Sequence, residues 1–424
     1  MAPPDRGERT GRRTGSESAR RRSPAEWGVR AALAAVAALL ALPALSDAAA
    51  RVLAKADTEQ AHRLAPWDGQ IAARLAEQRL TRSFGEEAGS TQLARAALRH
   101  DPTAVEAASV LGLQAQLAGE EDAANRLFAY AHALSRRERR AQLWAIEEAV
   151  SRGDIAGALR HYDTALRTSR SASTLLYPVL ATAIAEPLVR AALMDRLAEK
   201  PVWIRSFINH LAVNVARPEA TVQVLRDGDR MGLPIEEAER VAVVNAVASR
   251  GLHELAWTYY ASFRDGADRR RSRDPTFLRP VDDAAVFDWM PSNEGGLIAS
   301  FQSGEDGGVV AFSVPSGTGG TLLRQTQLLP PGAYRLDGTG SALDIPADAP
   351  PYWQLACQDG RELGRVPIIA DEEGSARFSS QPIIVPAGCP VQVLSLIARS
   401  SSQVAGQSGQ IDRVLLSPAG GARS

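Results

Sequence analysis

Common catalytic and metal-binding motifs are absent from this sequence of 424 residues. It has no G-x-S-x-G elbow, no H-E-x-x-H pair and no Walker A loop, so the sequence signals of those enzyme classes are missing. No histidine has a second His or Cys at ligand spacing. The six histidines are His62, His100, His132, His161, His210 and His253. These absences predict a protein without a metal ion or a cofactor.

The sequence also has few lysines and almost no net charge. Only Lys55 and Lys200 are lysines, and the formal net charge is −1 at pH 7. A balanced charge gives no bulk attraction for a polyanion. The run Arg269-Arg270-Arg271 has no interleaved aromatic residue on which a base could stack. We therefore predict no nucleic-acid partner.

Cysteine occurs only at Cys357 and Cys389, both in the last quarter of the chain. Cys357 ends one predicted strand and Cys389 precedes another, and adjacent antiparallel strands bring Cα atoms within disulfide reach. Two thiols confined to one region favour a Cys357–Cys389 disulfide formed in an oxidising compartment. The alternative is a pair of buried free thiols in a cytosolic protein.

The first fifty residues contain an arginine-rich segment followed by an apolar run. Residues 1–25 are polar, a composition typical of disorder. Residues 26–50 include the apolar stretch from Ala31 to Leu45, which predicts a transmembrane signal anchor with residues 1–25 in the cytoplasm. Two alternatives remain open: a signal peptide cleaved near Ala44-Leu45-Ser46, and a buried helix of a cytosolic protein.

A glycine and an alanine recur together every 34 residues. The glycines are Gly85, Gly119 and Gly153, and the alanines that follow them are Ala97, Ala131 and Ala165. Around them, apolar residues recur at three- and four-residue intervals, which predicts helices over residues 55–265. A period of 34 is typical of a helix–turn–helix repeat.

The middle repeat resembles the tetratricopeptide family. Leu111-Gly112 match that family's Leu-Gly pair, Ala124 its small residue at the helix crossing, and Phe128 its aromatic residue. The resemblance implies an α-helical solenoid that binds a protein partner in its groove. The groove contacts that it implies are Gln114, Gln116, Glu147 and Glu148. The alternative is an irregular all-α domain with an accidental spacing.

The pattern changes after residue 265. The charged run from Arg264 to Asp274 predicts an exposed hinge within a linker at 266–284. Over residues 285–418 the apolar period falls toward two, which predicts a domain of short antiparallel strands, followed by a flexible tail at 419–424. The predicted strands lie near 286–290, 297–302, 308–314, 321–329, 333–338, 352–358, 364–369, 376–384, 390–398 and 410–417.

Two segments of the strand region resemble jelly-roll carbohydrate-binding modules. They are Leu323–Leu336, which contains a Pro-Gly turn followed by a tyrosine, and the closing segment Gly409–Leu416. The resemblance implies an antiparallel β-sandwich, jelly-roll-like, in which aromatic rings stack on sugars. The rings available for glycan contact are Trp289, Tyr334, Tyr352 and Trp353. The alternative is that these rings belong to the core.

These features predict a multidomain α + β protein with an N-terminal transmembrane helix, a helical repeat solenoid and a C-terminal β-sandwich. We expect a non-enzymatic scaffold of the bacterial inner membrane, single-pass, with its N-terminus cytoplasmic and its bulk periplasmic. The repeats would bind a protein, and the sandwich a glycan or a second protein, in envelope polysaccharide assembly or export. Two alternatives are an envelope glycan hydrolase or lyase with a site between the domains, and a cytosolic helical adaptor.

Overall fold

A computed structural model of the chain describes residues 24–82, 87–169, 171–278, 283–304 and 307–420. Within these ranges the N-terminal half is helical and the C-terminal part forms antiparallel sheets. The chain divides into two compact units, Met1–Ala145 and Ile146–Ser424. Residues 1–23 of the predicted cytoplasmic segment 1–25, most of the predicted tail and the repeat glycine Gly85 lie outside the described residues.

The first unit is helical throughout its described residues, apart from short connections. Its helices are α1 (Pro24–Leu53), α2 (Thr58–Leu64), α3 (Gly69–Arg82), α4 (Glu87–His100), α5 (Val105–Leu117) and α6 (Glu121–Leu134). The helix α7 (Arg139–Ser151) crosses the boundary, and it is followed by α8 (Ile155–Thr168), α9 (Ala172–Ala183), α10 (Pro187–Ala198), α11 (Ile204–Val213), α12 (Pro218–Arg230), α13 (Glu237–Ala248) and α14 (His253–Phe263). Aspartates begin several of them, because the side chains of Asp57, Asp68 and Asp154 accept backbone N–H bonds from the first turn.

Helix α1 is long and apolar enough to cross a membrane. By length and composition its candidate span is Trp27–Leu53, 27 residues, and none of the most apolar part of this span is buried against the rest of the chain. It is the one such span found among the described residues.

The 34-residue interval of the sequence reappears in the helices. Helices α4, α6 and α8 begin at Glu87, Glu121 and Ile155, which are separated by that interval. Gly119 and Gly153 have φ angles of 76° and 72°, in the left-handed region that glycine adopts without strain. Gly119 therefore lies in the turn between α5 and α6, and Gly153 in the turn between α7 and α8.

Helices α5 and α6 approach closely where Gly112 faces Phe128. A Cβ atom on Gly112 would lie 3.1 Å from atoms of the Phe128 ring, which is 3% exposed. We expect Gly112→Val to lower the free energy of unfolding by about 2 kcal/mol, because the ring has no space into which it can move. Chemical denaturation of the full chain in detergent measures this. Gln116→Val is the control, since it places the same side chain at an exposed position of α5; equal losses would contradict the contact.

The second unit adds two antiparallel sheets to its helices. The strands are β1 (Met290–Pro291), β2 (Ile298–Gly304), β3 (Gly307–Val314), β4 (Gly320–Gln327), β5 (Gly332–Asp344), β6 (Tyr352–Cys357), β7 (Glu362–Pro367), β8 (Ala376–Ser379), β9 (Ile383–Val385), β10 (Gln392–Ala398) and β11 (Gln407–Pro418). One sheet has five strands in the order β1-β4-β10-β6-β7. The other has the order β2-β3-β11-β5-β8, with β9 paired to β5.

Both sheets contribute to one hydrophobic cluster. Trp353 and Leu394 come from the five-stranded sheet and Val310 and Ile411 from the other, and all four are 0% exposed. Burial alternates residue by residue along β6 and β10. This alternation is expected of strands with one face on a core and the other toward solvent.

Two predicted strands differ from the structure. Most of the segment 286–290 is a turn fixed by Asn245, whose Oδ1 accepts the N–H of Val286 at 2.8 Å, and strand β1 is confined to two residues. The segment 376–384 is divided into β8 and β9. The break contains Pro382, which has no N–H to donate to a neighbouring strand.

The predicted exposed hinge at 264–274 is exposed at Asp265, Asp268, Arg270 and Arg271, and it is packed toward its end. Ser272 is buried, and its backbone N–H donates to the carbonyl of Leu416 at 2.9 Å while its Oγ accepts the N–H of Leu416 at 2.9 Å. Phe277 is 1% exposed within the hydrophobic cluster. Ser272 and Phe277 therefore pack the segment that follows α14 against the sheets of the second unit.

Candidate functional site

The outer face of the five-stranded sheet carries a line of polar side chains, one from each of four neighbouring strands. Ser395 of β10 is paired with Arg324 of β4 on one side and with Gln354 of β6 on the other, and Gln354 is paired with Arg365 of β7. Side chains directly opposite each other on one face lie about 5 Å apart. We call Arg324, Ser395, Gln354 and Arg365 the polar row.

One end of the polar row is a hydrogen-bonded group around Glu362. Its Oε2 accepts hydrogen bonds from Gln354 Nε2 at 2.6 Å and from Arg365 Nη2 at 2.7 Å. The bond from Arg365, supported by the one from Gln354, lowers the pKa of the Glu362 carboxyl. The guanidinium carbon of Arg365 also lies 4.3 Å from the ring centroid of Tyr352, which is a cation–π stack.

The other end of the polar row is a cation without a carboxylate. Arg324 is exposed, and it makes no ion pair with any residue that the structure describes. The positions of Arg324 and Arg365 are three strand spacings apart, roughly 14 Å. Between them lie the hydroxyl of Ser395 and the amide of Gln354. The row can therefore donate hydrogen bonds along an extended ligand and meet negative charge at the Arg324 end.

Of the four rings predicted to contact a glycan, Tyr352 alone lies on this face. Trp289, Tyr334 and Trp353 are 4%, 4% and 0% exposed, so their faces are not available to a sugar and the prediction is corrected for these three. Trp353 packs edge-on against Trp289 with ring centroids 5.6 Å apart. The hydroxyl of Tyr334 donates to the carbonyl of Pro330 at 2.9 Å, which closes the Pro-Gly turn.

Cys357 and Cys389 form a disulfide, with their Cα atoms 5.6 Å apart. Both residues are buried. The bond ties the end of β6 to the segment that precedes β10, and it lies beside a cleft.

This cleft has a volume of about 660 Å³ and is lined by the α13–α14 turn together with Leu328, Gln358 and Val391. Glu254 is the one carboxylate among the lining residues, and its Oε2 lies 2.6 Å from Arg269 Nη2. Glycoside hydrolysis requires two carboxylates that flank the sugar bond. Among the described residues there is also no group of three or more His, Cys, Asp or Glu that could hold a metal ion.

The four predicted groove residues belong to different units and are described separately. Gln114 is half-buried, and its Nε2 donates to Ser90 Oγ at 2.7 Å. Gln116 is exposed on the same helix. Glu147 is exposed, whereas Glu148 forms an ion pair with Arg152, which directly follows α7. Gln116 and Glu147 therefore remain predicted contacts with free access, while the other two side chains hold local structure.

Sequence reasoning missed the polar row. Each member is an ordinary polar residue in its own strand, and no spacing along the chain connects them. A usable signal was the phase of each strand. Gln354 alternates with the apolar Trp353 and Leu355, and Ser395 with Leu394 and Leu396, so both had to lie on the outer face.

No protein-family model matches the chain, and no curated protein matches it. Parts of it resemble solved structures. The arabinose-bound α-L-arabinofuranosidase MgGH51 is 15% identical with a TM-score of 0.27, over 37% of this chain and 27% of that one. TmCBM61 in complex with β-1,4-galactotriose is 17% identical with a TM-score of 0.23, over 30% of this chain and 86% of that one.

The CBM22-1 xylan-binding domain of Xyn10C from Paenibacillus barcinonensis is 11% identical with a TM-score of 0.23, over 35% of this chain and 94% of that one. This chain spans about a quarter of the length of the arabinofuranosidase. Likenesses with TM-scores this low establish neither the fold nor the ligand.

Proposed function

We propose that this protein is a non-enzymatic, membrane-anchored scaffold outside the cytoplasm of a bacterium, holding an acidic glycan on the polar row and a protein partner on its helices. The observation that carries the proposal is the polar row itself. It joins an exposed cation, a hydroxyl, an amide and a Tyr352–Arg365 stack on one open sheet face. A sugar chain presents hydroxyls along its length, and a uronic acid adds the carboxylate that Arg324 lacks.

The finer architecture belongs to this proposal. We take the helices to be a tetratricopeptide-type solenoid, supported by the 34-residue interval of α4, α6 and α8 and by the Gly112–Phe128 contact. We take the two sheets to be a jelly-roll-like β-sandwich, supported by their shared hydrophobic cluster. A solenoid presents an extended surface to a protein, and an open sheet face suits a linear polymer.

The location is proposed from two observations. The most apolar part of α1 is not buried against the rest of the chain, and arginines precede it in the sequence, which favours a cytoplasmic N-terminus. The Cys357–Cys389 disulfide is typical of proteins that fold outside the cytoplasm. Envelope polysaccharide assembly or export is the process in which a glycan-holding scaffold at this location would act.

Binding of an acidic polysaccharide by the full chain in detergent tests the proposal. Arg324→Ala should weaken binding about tenfold, which is the loss of one charge-assisted hydrogen bond, and added salt should weaken binding of the parent. Arg324 is the better position for this test, because Arg365→Ala would also remove the hydrogen bond to Glu362 and the cation–π stack on Tyr352.

Arg377→Ala is the matched control, since Arg377 is an exposed strand arginine on the other sheet. Equal weakening of polysaccharide binding by the two substitutions would contradict the polar row as the binding site. Turnover of the polysaccharide into products would favour the hydrolase alternative, and the cleft beside Glu254 would then be the place to search for its site.

A further inference from the structure

A pocket lies at the end of the apolar helix in the first unit. It has a volume of about 520 Å³, and its lining includes Asp47 and Arg51 of α1, Trp67, Arg74 of α3 and Asp101. It is distinct from the polar row and from the cleft beside the disulfide, because all of its residues belong to the first unit.

One face of the last two turns of α1 is packed against the first unit. Ala50 is 0% exposed, and Ser46 Oγ donates to the carbonyl of Leu64 at 2.5 Å. Arg51 Nε lies 3.1 Å from Asp47 Oδ2 and 3.8 Å from Asp68 Oδ2, which ties the helix to the start of α3. A hydrocarbon core of about 30 Å takes roughly twenty helical residues. A span that begins at Trp27 therefore ends where this packing begins.

Exposed apolar side chains belong to, or directly precede, the helices and turns that line the pocket. Trp67 is 49% exposed, Leu64 is 43% exposed and Val52 is 76% exposed. Trp67 lies in the turn that separates α2 from α3. Tryptophan favours the membrane–water interface, where its ring meets acyl chains and its N–H meets head groups. Trp67 lines the pocket together with Asp47, which directly follows a span of roughly twenty residues from Trp27.

The charges of the pocket are mixed. Arg51 and Arg74 supply two cations, and Arg74 is exposed without an ion pair to any described residue. Asp47, Asp68 and Asp101 supply three carboxylates. Hydrogen bonds from Thr103 and then from Gln70 lower the pKa of Asp101, so it stays ionised at neutral pH. A purely anionic ligand would meet these carboxylates, whereas a zwitterion complements both signs.

We propose that this pocket holds the head group of a phospholipid carrying a phosphate and a primary ammonium, as in phosphatidylethanolamine, with the Trp67 ring in the interfacial layer. The arginines face the phosphate and the aspartates face the ammonium. The inference rests on the membrane anchoring proposed above. It adds a lipid-specific site that seats the first unit on the bilayer.

Quenching by brominated lipids tests the seating of Trp67. The full chain is reconstituted in vesicles whose phosphatidylcholine carries bromine on the acyl chains near the head group, and tryptophan fluorescence is compared for the parent, Trp27→Phe, Trp67→Phe and Trp203→Phe. Trp67→Phe should remove part of the quenched emission, whereas Trp203→Phe should remove none, because Trp203 is buried in the second unit. Quenching at Trp27 without quenching at Trp67 overturns the inference and leaves the anchoring intact. Absence of quenching at both overturns the anchoring itself.

Lipid retention tests the head group. The full chain is released from mixed vesicles of phosphatidylethanolamine and phosphatidylglycerol, and retained lipid is counted by native mass spectrometry. The parent should retain phosphatidylethanolamine about tenfold over phosphatidylglycerol. Asp47→Asn should abolish that preference, because the aspartates face the ammonium that phosphatidylglycerol lacks. Asp122→Asn should preserve it, since Asp122 is an exposed carboxylate of α6 outside the pocket lining. Equal retention of both lipids by the parent, or a preference for phosphatidylglycerol, overturns the assignment.

Discussion

Replacing Asp288 with alanine is expected to lower the free energy of unfolding of the second unit by about 3–5 kcal/mol, as expected when one partner of a buried ion pair is removed. The Asp288 side chain is 6% exposed. Its Oδ1 accepts hydrogen bonds from the hydroxyl of Tyr260 at 2.6 Å and from Nε of Arg273 at 2.9 Å. Its Oδ2 accepts the N–H of Ala285 at 3.1 Å and lies 3.5 Å from Arg264 Nη2.

The expected loss of stability is large because Asp288→Ala leaves Arg264 and Arg273 largely buried without this counter-charge. The side chains of Arg264 and Arg273 are 11% and 12% exposed, so neither can turn fully into water. Arg264 keeps its ion pair with Glu237, and Arg273 therefore bears most of the cost. Burial, reinforced by the charge of Asp288, raises the pKa of Tyr260, so its hydroxyl remains a donor that loses its acceptor.

Hydrogen–deuterium exchange of the full chain in detergent is the measurement, with peptides from α14 and from residues 283–291 as reporters. Asp268→Ala is the control. It removes an exposed carboxylate 3.2 Å from Arg271 and should cost less than about 1 kcal/mol. Adding Arg273→Met to Asp288→Ala should restore part of the loss, because it removes the unpaired cation. Unchanged exchange in both peptides of Asp288→Ala would contradict this account.

The junction around Asp288 shows why part of the predicted exposed hinge is packed. Charge density between Arg264 and Asp274 is a local signal, and locally it favours exposure. Two of these arginines, Arg264 and Arg273, find their counter-charge in Asp288, a carboxylate outside the run that no local pattern connects to them. The secondary structure on either side was predictable, because a run of helices and a run of strands each repeat their own period.

The two aromatic residues of β6 also show what local sequence patterns can and cannot predict. Residue type alone suggested that Trp353 and Tyr352 both contact a glycan. Strand phase distinguishes the two rings, since Trp353 shares the buried side of β6 with Leu355 and Cys357, whereas Tyr352 shares the opposite side with Gln354. That information was in the sequence. The partners of Gln354 on β10 and β7 were not, because register between distant strands is set by the whole sheet.

The other large effect is expected at the disulfide. Replacing both Cys357 and Cys389 with alanine should lower the free energy of unfolding by about 3–4 kcal/mol, because the bond constrains a loop with a sequence separation of 32 residues in the unfolded chain. Thermal unfolding of the oxidised parent, the reduced parent and the double variant measures the loss. The reduced parent and the double variant should unfold at similar temperatures. A reduced parent as stable as the oxidised one would contradict the prediction.

The structural consequence should be concentrated at the start of β10. Gln392 is 0% exposed there; its Oε1 accepts the N–H of Leu329 at 2.8 Å, and its Nε2 donates to the carbonyl of Cys389. Without the covalent tie to β6, the Cys389 backbone is free to move away and leave that buried amide without its acceptor. Exchange over residues 386–392 should therefore rise more than exchange over β11. Because Gln358 and Val391 line the adjacent cleft, its shape should depend on the same bond.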